Sequence, residues 1–173
     1  PRATGANVIL TGFMGTGKST VGRLLAQLLG FRLVDTDQVI IERHGPSPEI
    51  FAQEGEAGFR AREAELAREL STQSHLVIST GGRLMLDDEN AAVLGATGTV
   101  FCLTAPPEEI LRRVLSDQSG PERPLLAGDD PAERVRALLL ERAPLYARFT
   151  AIETNARPPA EIAAEIADRL DAA

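Results

Sequence analysis

Residues Gly12-Phe13-Met14-Gly15-Thr16-Gly17-Lys18-Ser19 fit the spacing G-x-x-x-x-G-K-[ST]. That spacing suits phosphate. Glycines let backbone N–H groups turn toward phosphate oxygens, and a helix that follows them presents its partly positive N-terminus. Gly15, Thr16, Gly17, Lys18, Ser19 and Thr20 form the expected cradle, with Lys18 reaching the β- and γ-phosphates and the Ser19 hydroxyl ligating Mg²⁺. A glycine-rich turn capped by Ser19 is the plainer alternative. Against it, Lys18 is the single lysine among 18 Lys and Arg residues. The motif specifies a nucleoside triphosphate with magnesium and leaves the acceptor open.

Four further groups point to the acceptor. Asp35 and Asp37, in Asp35-Thr36-Asp37, follow a short apolar run. One carboxylate at such a place can hold magnesium through water, and the other can accept a hydrogen bond from an attacking hydroxyl. Acids ahead of a helix are equally N-caps, and the spacing leaves both readings open. Phe59, Glu63, Leu66 and Leu70 share one helical face, so Glu63 needs a partner there, and a nearby arginine is the cheapest. Arg60 and Arg62 on a solvated face is the plain reading for that pair. Arg142 falls on the apolar stripe of Val135, Leu138 and Leu139, where a guanidinium must meet an anion, either Glu63 or a substrate carboxylate. Arg123, in Glu122-Arg123-Pro124-Leu125-Leu126, is an exposed loop charge or a finger on the transferred phosphoryl group.

The elements that must position these residues alternate. Asn7 to Thr11, Phe31 to Val34, Leu76 to Ile78, Thr99 to Leu103 and Ala151 to Glu153 read as short strands. Helices are expected over Val21 to Leu29, Gln38 to Arg43, Glu49 to Ala52, Gly58 to Leu70, Asp87 to Leu94 and Pro106 to about Leu115. A further helix starts at Asp130-Pro131-Ala132-Glu133, an N-cap, an N1 proline and a capping-box acid, and Pro144 should bend or stop it. Ile162, Ile166 and Leu170 mark the last helix. Ser116 to Asp129 is rich in Gly, Pro, Ser and Asp and reads as a mobile loop, a natural lid. Strands alternating with helices give an α/β fold with a parallel sheet and ligands at the carboxyl ends of the strands.

Composition narrows the setting. The 173 residues suffice for one core and not for two full-sized domains. A net charge of −7 argues against broad binding to nucleic acid or an anionic membrane. The lone Cys102 excludes an internal disulfide framework and reads as a buried apolar residue, and His44 and His75 lack metal-ligand spacing. No apolar run approaches a membrane span, and Pro1 to Asn7 lacks the order of a signal peptide. A soluble, cytoplasmic monomer is the expectation.

The ordered set of motifs resembles the shikimate kinase family over nearly the whole chain. The matching segments are Gly12 to Arg23, Asp35-Thr36-Asp37, Ile50-Phe51, Gly55-Glu56, Phe59-Arg60 with Glu63, Thr80-Gly81-Gly82, Arg123-Pro124-Leu125-Leu126 and Glu141-Arg142-Ala143-Pro144-Leu145-Tyr146. The resemblance implies one P-loop kinase domain over 1–173 with a five-stranded parallel sheet flanked by helices, substrate-binding helices about 36–70 and a mobile lid about 116–129. It implies transfer of the ATP γ-phosphate to the 3-hydroxyl of shikimate in aromatic amino-acid biosynthesis. Asp37 would bind the shikimate hydroxyls and serve as base. Arg60 and Arg142 would clamp its carboxylate, and backbone N–H groups of Gly81 and Gly82 would border the same pocket. Arg123 would reach the phosphates, and Arg113 and Arg157 would flank adenine. Asp35 and Ser19 are the magnesium candidates.

Three departures stand out. Arg83 replaces the family's usual third glycine, and an outward Arg83 is favoured because Leu84-Met85-Leu86 needs burial. The segment Gly45 to Phe51 is one residue shorter than the usual pattern and carries two prolines. The stretch between Arg113 and Arg123 is longer than expected. Arg83 keeps two alternatives in view: a kinase of another hydroxy-acid such as gluconate, and a nucleotide-binding module without turnover.

Overall fold

A computed structural model describes residues 6–116 and 130–173. Its five strands are β1 (Asn7–Thr11), β2 (Arg32–Asp35), β3 (Leu76–Ser79), β4 (Gly98–Thr104) and β5 (Thr150–Glu153). Among the described residues the helices are α1 (Lys18–Leu29), α2 (Thr36–His44), α3 (Ser47–Leu70), α4 (Asp88–Gly95), α5 (Pro107–Ser116), α6 (Pro131–Tyr146) and α7 (Pro159–Asp171), with a 3₁₀ turn at Leu84–Leu86. The sheet is wholly parallel in the order β2-β3-β1-β4-β5.

All of β1 is buried because it is the central strand, with β3 and β4 on its two sides. Its side chains alternate between faces. Val8 and Leu10 pack with Val21 and Leu25 of α1 and Ile162 and Ile166 of α7. Ile9 packs on the other face with Leu66 and Leu70 of α3, the 3₁₀ leucine Leu84, and Leu94 of α4. Asn7 pins the far end of the sheet. Its amide donates to the Gln73 carbonyl (2.9 Å) and Thr97 Oγ1 (3.1 Å) and accepts from the Leu76 N–H (2.9 Å). The opposite, carboxyl ends of β1, β2 and β3 are thereby set side by side, which is where a parallel sheet offers a ligand crevice. A third cluster roofs that end: Phe13 lies under Ile110 and Val114 of α5 and Val135 and Leu138 of α6.

The sequence reading is followed closely, with three differences. The helices expected at Glu49 to Ala52 and Gly58 to Leu70 are parts of one element, α3, broken at Gly55, whose φ of 71° and ψ of −176° are not helical. Pro144 does not stop α6, which runs on to Tyr146. A proline so near a C-terminus removes only one N–H from the last turn. Leu84–Leu86 was expected to be buried but not to form a turn of 3₁₀ helix; its three side chains are at most 8% exposed. The expected lid and Arg123 within it lie on residues 117–129, outside the described residues. Cys102 is buried in β4 as expected, and burial pushes its thiol up to about 11.

Candidate active site

The phosphate loop leaves β1 at Thr11 and enters α1 at Lys18. Gly12 makes the turn at φ 136°, and a Cβ there would stand 2.4 Å from the Leu103 carbonyl oxygen of β4, so no other residue fits. Thr16 Oγ1 donates to the Phe13 carbonyl (2.7 Å) and closes the loop on itself. No side chain caps α1; its N-cap is Gly17, so the first N–H groups of the helix face the crevice. Lys18 bends back over the loop, and its Nζ donates to the carbonyls of Gly12 (2.7 Å) and Phe13 (2.9 Å). A loop of this kind is an anion cradle with its lysine already held at the mouth.

Of the two readings of the Asp35/Asp37 pair, the N-cap is met by one oxygen of Asp35. Asp35 Oδ1 caps α2 by accepting the Gln38 N–H (3.1 Å), while Oδ2 accepts from the Ser19 hydroxyl (3.1 Å). Asp37, two residues later, faces the crevice beside the Gly81 backbone. A Cβ at Gly81 would stand 2.5 Å from Asp37 Oδ1, so glycine is required for the approach. Burial and then the charge of Asp35 raise the Asp37 carboxyl above its ordinary value, opposed by Lys18 and Arg60. The Gly81 N–H, expected to border the pocket, donates to Thr36 Oγ1 (2.9 Å). Gly81 borders the pocket through its missing side chain.

Arg60 and Arg62 separate in space. Arg62 pairs with Glu54 (3.1 Å) and Glu65 (3.3 Å) on the outside of α3, the solvated face expected of it. Arg60 turns inward and donates to Glu63 Oε1, with Glu56 3.6 Å away. Glu63 is 1% exposed, and its Oε2 has no hydrogen-bond partner among the described residues. Burial pushes its carboxyl up to about 7, opposed by Arg60 and Arg142 and reinforced by Asp37. Arg142 reaches the same space from α6, 2% exposed, with its guanidinium 5.6 Å from the Phe13 ring centre. Arg142 makes no ion pair with Glu63 or any other described acid, and its Nε is unpartnered. The Tyr146 hydroxyl donates to the Gly82 carbonyl and so ties α6 to the loop after β3. Sequence reasoning assigned Tyr146 no role; its place at i+4 from Arg142 is the signal that was there to read.

These groups line one cavity of about 410 Å³, which runs from the phosphate loop to Arg60, Glu63 and Arg142. That is the size of a small-molecule site. Arg83 lines its rim, 38% exposed, with Nη1 3.6 Å from Glu141 and its charge acting on Tyr146, so it lies between the inward and outward readings. Arg113 of α5 donates to the Gly15 carbonyl (3.1 Å) and to Glu109 (2.9 Å), so it lies against the back of the phosphate loop. Arg157 is engaged by Glu165 (2.6 Å), Glu161 (3.1 Å) and the Glu153 carbonyl (2.8 Å) on the α7 side. Neither lies in the cavity itself. No cluster of three or more His, Cys, Asp or Glu suited to a metal occurs among the described residues. No described helix is long and apolar enough to cross a membrane.

A parallel sheet with a glycine-rich lysine loop after its central strand, and an acid and two arginines facing it across one pocket, defines a P-loop kinase of the small-molecule class. The family model for shikimate kinase matches residues 14–171. The chain is 46% identical to a shikimate kinase of Geobacter metallireducens, over 95% of this chain and 92% of that protein. The structure of a shikimate kinase from Acinetobacter baumannii in complex with shikimate superposes with a TM-score of 0.89 at 39% identity, covering 98% of this chain and 94% of that one. The chain belongs to the shikimate kinase family. A gluconokinase from Sinorhizobium meliloti superposes at a TM-score of 0.65 with 18% identity, over 96% of this chain and 92% of that one, and shares the fold alone.

Proposed function

We propose that this ATP-dependent kinase passes the γ-phosphoryl group of ATP to the 3-hydroxyl of shikimate, a step of aromatic amino-acid biosynthesis, with Mg²⁺ as cofactor. The observation that carries this reading is the convergence of Arg60 and Arg142 from two different helices on a pocket that the phosphate loop also lines. Two inward guanidiniums beside a hydroxyl-binding acid suit a small hydroxy-acid. The shikimate complex of the Acinetobacter relative supports the particular acid.

In this reading the loop N–H groups of Gly15 to Thr20 and Lys18 hold the triphosphate, with Lys18 released from its bonds to the Gly12 and Phe13 carbonyls. Asp37 accepts the hydrogen bond of the attacking hydroxyl and orients its oxygen toward the phosphorus. Its raised affinity for a proton helps it to receive one as the new P–O bond forms. Ser19 and Asp35 offer two adjacent hard oxygens, 3.1 Å apart, which fit Mg²⁺ directly or through water. Held by these two residues, Mg²⁺ would supply positive charge to offset that of the triphosphate. Arg60 and Arg142 fix the acceptor through its carboxylate, with the Gly81 and Gly82 backbone as the wall. Arg113 and Arg157 are assigned to the adenine side, and Arg123 to the phosphates on its sequence setting alone. In the same reading, residues 1–173 act as one kinase domain, a cytoplasmic monomer.

The test is ADP release with ATP and Mg²⁺, with and without shikimate, beside gluconate and other hydroxy-acids. Shikimate-dependent release supports the reading. Release with gluconate and not shikimate overturns it.

A further inference from the structure

Glu63 is a carboxylate that the phosphoryl transfer does not need. One oxygen is held by Arg60, and the other is buried with no partner among the described residues. An ionised oxygen in that position is costly, because neither water nor a donor compensates it. Three elements present charge to it. Arg60 lies on its own helix, with the half-exposed Glu56 behind it. Asp37 faces it from α2, and Arg142 from α6 with the Tyr146 phenol beyond. Lys18, Asp35 and Arg83 line the same pocket, but the charges that act on Glu63 are those of the part-buried Arg60, the buried Arg142 and the Asp37 carboxylate. An arriving substrate carboxylate adds a negative charge to these.

We propose that Glu63 is a proton-coupled positioning residue: it holds Arg60 in place while the pocket is empty and takes up a proton on Oε2 when an acceptor carboxylate settles between Arg60 and Arg142. The proton comes from solvent and offsets the negative charge added beside Glu63. The O–H so formed turns an orphaned acceptor into a donor, which the incoming carboxylate can use. Arg60 is then released from a full ion pair with Glu63 to one with the substrate. The setting is poised for this at neutral pH, because burial already brings the Glu63 carboxyl to about 7. A new anion and the loss of water from the pocket push it further the same way.

The inference rests on shikimate as the acceptor, and the experiment separates the two. Shikimate is titrated calorimetrically into the wild-type protein at pH 6, 7 and 8, each in two buffers of different ionisation enthalpy. The expected uptake is small at pH 6, about half a proton at pH 7, and close to one at pH 8. Affinity should weaken toward alkaline pH by up to about tenfold per unit. Shikimate methyl ester, which excludes water but brings no charge, should take up clearly less. In Glu63→Gln, uptake should vanish and affinity should become flat from pH 6 to 8. Buffer-independent heats in the wild type, or undiminished uptake in Glu63→Gln, overturn the proposal. Equal uptake with the ester overturns it without using any variant. If no shikimate binds at any pH, the acceptor assignment itself fails.

Discussion

Arg142 should be a residue that costs stability and supplies affinity, and Arg142→Met separates the two. The side chain is 2% exposed, has no ion pair among the described residues, and rests against the Phe13 ring and the Gly82 backbone. Burying a charge with so little compensation is unfavourable, and apolar replacement of buried ionic groups is often neutral or stabilising by about 1–4 kcal/mol. Methionine has similar reach and a flexible, polarisable end, so it can fill the space against Phe13. Taking the lower end, about 1 kcal/mol, the melting temperature should stay level or rise by roughly 2–4 °C for a chain of this size. Shikimate loses one arm of its clamp. Truncating one partner of a buried charge pair costs about 2–5 kcal/mol, which is roughly 30-fold to a few thousand-fold in affinity. Thermal melts of the free protein and calorimetric titration with shikimate measure the two effects. Arg142→Lys should restore little of the affinity, because an ammonium cannot reproduce the planar fork. A fall of several degrees in melting temperature with unchanged shikimate affinity would refute the reasoning and make Arg142 a structural strut.

Four other outcomes are expected. Lys18→Met should abolish ADP release with little change in melting temperature, because the Gly12 and Phe13 carbonyls it bonds lie in a loop where solvent or the loop can satisfy them. Gly81→Ala should lower kcat by roughly tenfold or more, since the new Cβ would stand 2.5 Å from Asp37 Oδ1 and displace it. Arg83→Gly should change the shikimate KM by less than about twofold, because a pair at 3.6 Å on the rim contributes little; a larger effect would place Arg83 in the pocket. Glu63 binds its proton more tightly folded than unfolded, so its charge opposes folding once ionised. The native state holds the extra proton between about pH 4.5 and about 7, and this contribution to stability is therefore lost as pH rises through that window. Denaturant melts should show wild type losing ground to Glu63→Gln from pH 5 to 7.5 and then levelling off; a pH-independent difference would contradict it.

Much of the fold is legible because its signals are local. Most strands are short apolar runs closed by glycine, acid or serine, and the helices show their apolar stripes within a few turns. The phosphate loop is local in the same sense: eight consecutive residues specify both the turn and its chemistry. Where the sequence reading slipped, a longer-range condition had intervened. Gly55 breaks a helix without ending it, because the chain on both sides continues onto the same face of the sheet. Pro144 leaves α6 running because Val135, Leu138 and Phe13 already anchor that helix.

The sequence by itself determined the class of chemistry, the order of the elements and the set of charged residues from which a site could be made. It did not determine which charges face inward. Arg60 and Arg62 are two residues apart with nearly the same neighbours, yet one points into the pocket and the other pairs with Glu54 and Glu65 outside. Only the rotation of α3 against the sheet distinguishes them, and that is set by Phe59, Leu66 and Leu70 packing on Ile9 and Ile78. The same holds for Arg142, Gly81 and Glu63, which lie far apart along the chain. Their proximity, the Gly81 N–H given to Thr36, and the orphaned oxygen of Glu63 follow from three strands ending side by side. Helical and strand periods repeat over a few residues, so they carry no information about distances between elements; burial of the shared core fixes those distances, and with them the site.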